Sequence, residues 1–260
     1  MSEQPFNVNS LLRQAVKPAS LRVMLKKVYR RLWDDRGHHS SVENLQWIQA
    51  HCSDFKTFAQ VHQAELWQEA EAFAAEISLQ ASKKLQPIPY KLGGGGVYPL
   101  LYFIARYRRP ACIVETGVAA GYSSYAFLEA IRRNGQGRLY SSDFPYFRLP
   151  NPEQYIGMIV PDSLKAHWQL YLAGDEVNLP IIAAQIPAID IFHYDSDKSY
   201  AGRQRALTWA RPLLKPSSLI LMDDIQDNSH FYDFVEANPA LAWHIFEFEG
   251  KYVGMVGELR

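Results

Sequence analysis

The residues of this chain that invite chemistry are its acids, because they recur at the ends of short apolar runs. Glu115 closes Cys112-Ile-Val-Glu, and Asp143 closes Gly137-Arg-Leu-Tyr-Ser-Ser-Asp. Gly174-Asp175 follows Leu170, Asp195 closes Ile189-Asp-Ile-Phe-His-Tyr-Asp, and Asp223-Asp224 follows Leu219-Ile-Leu-Met. A carboxylate accepts hydrogen bonds from a vicinal diol and binds cations. Three carboxylates brought together from neighbouring strand ends repel strongly unless a cation neutralises them. Oxygen-only donors suit Mg2+ rather than zinc, with waters or substrate oxygens completing the shell. Between two of the acids lies Glu115-Thr-Gly117-Val-Ala119-Ala-Gly121-Tyr-Ser123-Ser124. Its glycines permit a tight turn and close approach to a ligand, and the helix that follows points free N–H groups at an anion. The spacing is neither the G-x-G-x-x-G dinucleotide fingerprint nor a P-loop, which would end in Gly-Lys-Ser/Thr.

These acids need a scaffold that gathers strand ends, and the alternation after residue 96 supplies one. Apolar runs at 112–115, 137–143, 170–174, 189–195, 219–223, 243–248 and 252–256 predict seven strands. Helices are expected at about 123–133, 200–210 and 229–236, and Glu249-Gly250-Lys251 reads as a hairpin turn. The expected class is α/β, a Rossmann-like doubly wound sheet of seven mostly parallel strands, with ligands beyond the carboxyl ends of the strands.

The order of these motifs from about residue 90 to 257 resembles class I S-adenosylmethionine (SAM)-dependent methyltransferases. The likeness is to the macrocin O-methyltransferase-like and catechol O-methyltransferase-like type. It rests on Val114-Glu-Thr-Gly117-Val-x-x-Gly121-x-Ser123-Ser124, and on His193-x-Asp195-x-x-Lys198-Ser-Tyr200 followed by Leu214-Lys-Pro and Asp223-Asp224. Ala119 stands where the motif more often has glycine, and Lys215-Pro-Ser-Ser replaces K-P-G-G. The resemblance implies SAM as cofactor, bound by Glu115, Gly117, Ala119, Gly121, Ser123, Ser124, Asp143, Asp175 and Asp195, with Asp143 on the ribose hydroxyls. It also implies a Mg2+ held by Asp195, Asp223 and Asp224. The methyl acceptor would be a hydroxyl of a small molecule, either sugar, phenol or another natural product. The base that takes its proton would be Lys198 or Asp197. Metal-independent transfer to oxygen or nitrogen, and a non-catalytic binding protein, are the alternative readings. His193 reads as a cofactor neighbour or as a hydrogen-bonded core histidine, with the second preferred. His38, His39, His51, His62 and His167 show no ligand spacing.

Residues 1–90 match no motif and read as a helical region, with residues 91–260 as the methyltransferase domain. Residues 1–37 form a basic arm, with eight Lys/Arg against three Asp/Glu. Within it Leu21, Met24, Leu25, Val28 and Leu32 predict an amphipathic helix that docks on its own domain, on a second subunit or on a membrane surface. A helical lobe is expected over 41–86, and homo-oligomerisation through these helices is one use for them. Gly93-Gly-Gly-Gly96 is either a hinge or backbone beside the cofactor. The whole chain has 260 residues with 27 basic and 27 acidic side chains, 48% hydrophobic and 21% charged. That balance excludes disorder, and it excludes coating nucleic acid by bulk positive charge. Two cysteines make no disulfide framework, and no apolar run reaches a membrane span, so the expected setting is the cytoplasm.

Overall fold

The computed structural model describes residues 41–90, 92–94, 96–145 and 149–259. The basic arm, its amphipathic helix, and Tyr146 and Phe147 therefore lie outside the described residues. In chain order the elements are α1 (Ser41–His51), β1 (Cys52–Ser53), α2 (Phe55–Leu85), α3 (Tyr98–Arg108), β2 (Cys112–Thr116) and α4 (Tyr122–Asn134). There follow β3 (Arg138–Ser142), β4 (Trp168–Tyr171), α5 (Asp175–Ala183), β5 (Ile189–Tyr194), α6 (Tyr200–Ala210) and β6 (Leu214–Met222). The chain closes with α7 (His230–Glu236), β7 (Trp243–Phe248) and β8 (Lys251–Val256).

One eight-stranded sheet, ordered β1-β7-β8-β6-β5-β2-β3-β4, divides the molecule into three layers. β8 runs antiparallel to both neighbours, β6 and β7, and the remaining pairings are parallel. Alternation along each strand feeds two cores. Ile113, Leu139, Ile191 and Leu221 pack under α2, α3 and α4 on one face. Val114, Tyr140, Phe192 and Met222 pack under α1, α5, α6 and α7 on the other. The chain runs outward from β2 through β3 and β4, then crosses back to place β5 on the other side of β2. The crevice above β2 and β5 is therefore the switch point of the sheet, where a ligand of a doubly wound fold belongs.

The eighth strand is β1, two residues that pair with Ile245 and Phe246 as the chain passes from α1 to α2. It was not expected because two residues carry no periodicity. β4 begins and ends about two residues earlier than its apolar run suggests. Gly174, at φ +84°, already caps α5, and the Asn178 side chain ties the connecting loop down.

The helical region 41–86 shares the core of the sheet. Asp54 caps α2 by accepting hydrogen bonds from the Thr57 amide (2.7 Å) and hydroxyl (2.6 Å). A kink at Gln63 separates the first turns from a long rod. Leu66, Trp67, Ala70, Phe73, Ile77 and Ala81 repeat with helical spacing and are buried in the same core as Ile113 and Leu139. Phe73 stacks on Tyr102 of α3 with centroids 4.4 Å apart. Glu69 accepts from Arg106 Nε (2.7 Å) and from Tyr102 Oη (2.5 Å). No helix among the described residues is long and apolar enough to cross a membrane.

Because α2 belongs to the sheet's own core, Ile77→Ala should destabilise the whole protein by about 2–5 kcal/mol. Denaturant unfolding followed by tryptophan fluorescence and by circular dichroism should give one coincident transition. Separate transitions would mean that the helical region folds independently.

Candidate functional site

The turn after β2 is built from backbone that tolerates no side chain. Gly117 sits at φ +82°, and a Cβ there would stand 2.2 Å from the Asp195 carbonyl oxygen at the end of β5. Gly121, at φ +104°, caps α4 and lies against Gly157, whose Cα would be 2.9 Å from an added Cβ. Ala119 adopts φ +50°, a left-handed position where glycine would be less strained. Asp143 locks the turn. Its Oδ2 accepts the amides of Val118 and Ala119 (both 2.9 Å), and its Oδ1 accepts that of Phe144 (2.6 Å). Gly93 would bring a Cβ to 3.4 Å from that of Ala119, while Gly94 faces open space. Gly93 thus lies beside this turn, and Gly96 beside Asp223.

Neighbouring acids are drawn into the same scaffold. Asp175 accepts from Ser142 Oγ (2.6 Å) and from Ser196 Oγ, so it joins the ends of β3 and β5. Ser123 is buried, and Ser124 donates to Glu115 Oε2 (2.5 Å), which also accepts from Ser141 (2.7 Å). Glu115 is wholly buried and faces the α4 side of the sheet. Its other oxygen, Oε1, stands 3.7 Å from His193 Nδ1. Across the ring, His193 Nε2 lies 3.4 Å from Asp223 Oδ1. His193 is therefore the expected core histidine, held between two carboxylates. Burial alone would lower its pKa, but Asp223 and then Glu115 carry it up to about 10.

The three acids expected to share a Mg2+ do not form a common cage. Asp223 turns inward to His193, while Asp224, at φ +53°, turns to two lysines. Lys198 Nζ pairs with Asp224 Oδ2 and lies 3.5 Å from Asp195 Oδ1. Lys251 Nζ is 3.3 Å from Asp224 Oδ1. Among the described residues, no group of three or more His, Cys, Asp or Glu side chains is spaced to hold a metal ion. Two lysine side chains face these carboxylates instead. Asp195 is pushed up to about 7 by burial and then by Asp223. Asp197, the other expected base, faces away from this cluster. Its carboxylate accepts from the Ser199 amide (3.2 Å) and from Arg205 (3.4 Å) at the start of α6.

Three contributors were not anticipated. Lys251 starts β8, and no local pattern marks it. Its position follows from the Met222–Gly254 pairing, which carries the hairpin past the end of β6. Arg203 is buried in α6 and donates to the Asp224 carbonyl (2.8 Å). Asn178 donates to Ser142 Oγ (2.9 Å) and to the Tyr171 carbonyl (2.9 Å). The spacing of Arg203 and Asn178 reads only as ordinary helix.

Residues 114–225 match the family model of a methyltransferase domain. The fold is similar to that of several solved structures. The O-methyltransferase TomG of Streptomyces achromogenes, involved in tomaymycin synthesis and solved with SAM, superposes with a TM-score of 0.52 at 16% identity, covering 69% of this chain and 86% of that one. A methyltransferase from Geobacter sulfurreducens gives 0.52 at 17% identity, over 70% and 89% of the two chains. An O-methyltransferase from Bacillus cereus, solved with SAH, gives 0.52 at 15% identity, over 81% and 100%. No curated protein matches by sequence. The chain thus has the Rossmann-like fold expected of it, and its residues 114–225 are similar to a methyltransferase domain.

His193 gains its partners on folding, so its contribution to stability is full below its ordinary value of about 6.5. That contribution is lost as pH rises toward about 10. Melting temperature should therefore fall across this window, and the slope should be shallower in His193→Gln. Gly117→Ala, which forces a Cβ against the Asp195 carbonyl, should cost about 1–3 kcal/mol by denaturant titration.

Proposed function

We propose that the chain is a SAM-dependent O-methyltransferase acting on a hydroxyl of a small molecule. The observation that carries this reading is the β2 turn. Two glycines and Ala119 bend backbone toward the switch-point crevice, and an acid at the next strand end, Asp143, locks them. This arrangement lies within the segment that matches a methyltransferase domain. When bound, SAM supplies an electrophilic methyl on a sulfonium, whose positive charge suits an acidic rim.

The residues divide into three roles. Gly117 and Gly121 let main chain meet the cofactor, and Ser123, Ser124 and Glu115 hold the start of α4 in place. Asp143, at the end of β3 beside the turn, is the acid for a ribose diol, and Asp175 borders the adenine side. At the reacting end, Lys198 meets the acceptor oxygen with its N–H donors, and Asp195 takes the hydroxyl proton. Its pKa of about 7 places it near the working range of such a base. Asp197 is left to position α6. A Mg2+ does not fit the side chains as they are arranged, so no role is given to one.

Calorimetry with SAM and with S-adenosylhomocysteine tests the reading. Both should bind, and Asp143→Ala should weaken them by about 1.5–3 kcal/mol, roughly ten- to a hundredfold. Absence of binding by the wild-type protein would end the proposal. Release of S-adenosylhomocysteine across a panel of phenols and sugars would then identify the acceptor class.

A further inference from the structure

The acidic rim raises a question that the methyltransferase reading leaves open, namely what neutralises it during the reaction. We infer that Lys198 and Lys251 occupy the cation position of this site, so that ammonium groups do the work a divalent ion would do there. The inference rests on the proposed methyl transfer and specifies its electrostatics.

Each carboxylate of the cluster is already committed. Asp223 lies within 3.4 Å of His193 on one oxygen. Its other oxygen is backed so closely by Gly96 that a Cβ at that glycine would come within 2.2 Å. On that side Asp223 thus packs against the Gly96 backbone. Asp224 is 4% exposed, and its oxygens meet Lys198, Lys251 at 3.3 Å and Gln226 Nε2 at 3.2 Å. Asp195 faces Lys198 at 3.5 Å. A Mg2+ needs oxygen atoms at about 2.0–2.1 Å in near-octahedral array, which would require both ammonium groups to leave. An ion placed beside them would also be repelled by two like charges.

The lysines enter from different parts of the chain, one from the loop between β5 and α6 and one from the β7–β8 hairpin. Both side chains keep solvent-facing surface, 39% and 53% exposed, while their ammonium groups meet Asp224. Two independent segments converging on one buried carboxylate is more than a chance surface ion pair.

The test is a Mn2+ titration followed by the electron paramagnetic resonance signal of free Mn2+, with the full-length protein saturated in S-adenosylhomocysteine. Wild-type protein should leave Mn2+ free. The double variant Lys198→Ala, Lys251→Ala should hold one Mn2+ with affinity raised by on the order of tenfold or more, and adding Asp224→Asn should abolish it. A wild-type protein that binds one Mn2+ and loses it in Asp195→Asn or Asp224→Asn would overturn the inference. So would a double variant that binds no better than wild type, because the lysines would then not hold the cation position. Calorimetric binding of S-adenosylhomocysteine in the same samples reports separately on the methyltransferase reading and on folding of the variants. Its loss in the wild-type protein would sink that reading, whatever the Mn2+ result.

Discussion

Charge compensation at the rim of the sheet is the constraint on which the rest of the site depends. Glu115, Asp195, Asp223 and Asp224 close three adjacent strands, β2, β5 and β6, and all but Asp195 are essentially removed from solvent. An unpaired carboxylate in such a place would shift its pKa and neutralise, or it would unfold its surroundings. The fold answers from two sides. His193, within the sheet, stands between Glu115 and Asp223. Lys198 and Lys251, from above it, meet Asp195 and Asp224. Breaking such a buried pair by removing one partner is costly even where the pair itself adds little net stability. These contacts therefore fix geometry more than they add to the total.

The same economy of partners shapes the β2–β3 side of the crevice. Asp143 takes three backbone amides of its own loop and turn, so an acid on one strand holds the turn of the next in a left-handed path. Asp175 does the equivalent between β3 and β5 through two serines. Asn178, buried behind them, satisfies the carbonyl of Tyr171 where β4 gives way to α5. Asp143, Asp175 and Asn178 are thus tied by short links between neighbouring strand ends.

Much of this was legible in the sequence. Strand-ending acids and the spacing of Gly117 and Gly121 located the turn and the crevice at the strand ends, because period-two apolar runs and glycine geometry are local signals. The α/β class and the edge hairpin followed from the same signals. What local pattern could not give was the direction in which each carboxylate would point. Asp195, Asp223 and Asp224 looked alike as strand ends, yet Asp223 turns inward because His193, two residues before Asp195 in the neighbouring strand, faces the same side of the sheet. Asp197 read as an alternative base to Lys198, and its carboxylate accepts from the Ser199 amide and from Arg205 of α6. Lys251 lies 27 residues beyond Asp224, and its role depends on pairing register that only the folded sheet defines.

That register also explains why a hairpin, rather than another crossover helix, is useful at this edge. In a parallel sheet, every connection at the carboxyl ends is a loop that must leave for a helix, so it can present only residues near its own strand. An antiparallel strand reverses this. β8 enters the sheet at the carboxyl end of β6 and runs away from it, with Met222 opposite Gly254. Its first residue, Lys251, therefore projects past the last residue of β6, where Asp224 awaits a partner. β7 brings the chain up to the same end and needs only the Glu249-Gly250 turn, both residues at positive φ, to reverse it. The edge hairpin is thus the element through which the last part of the chain reaches the acidic rim, and sheet topology and site charge have one common cause.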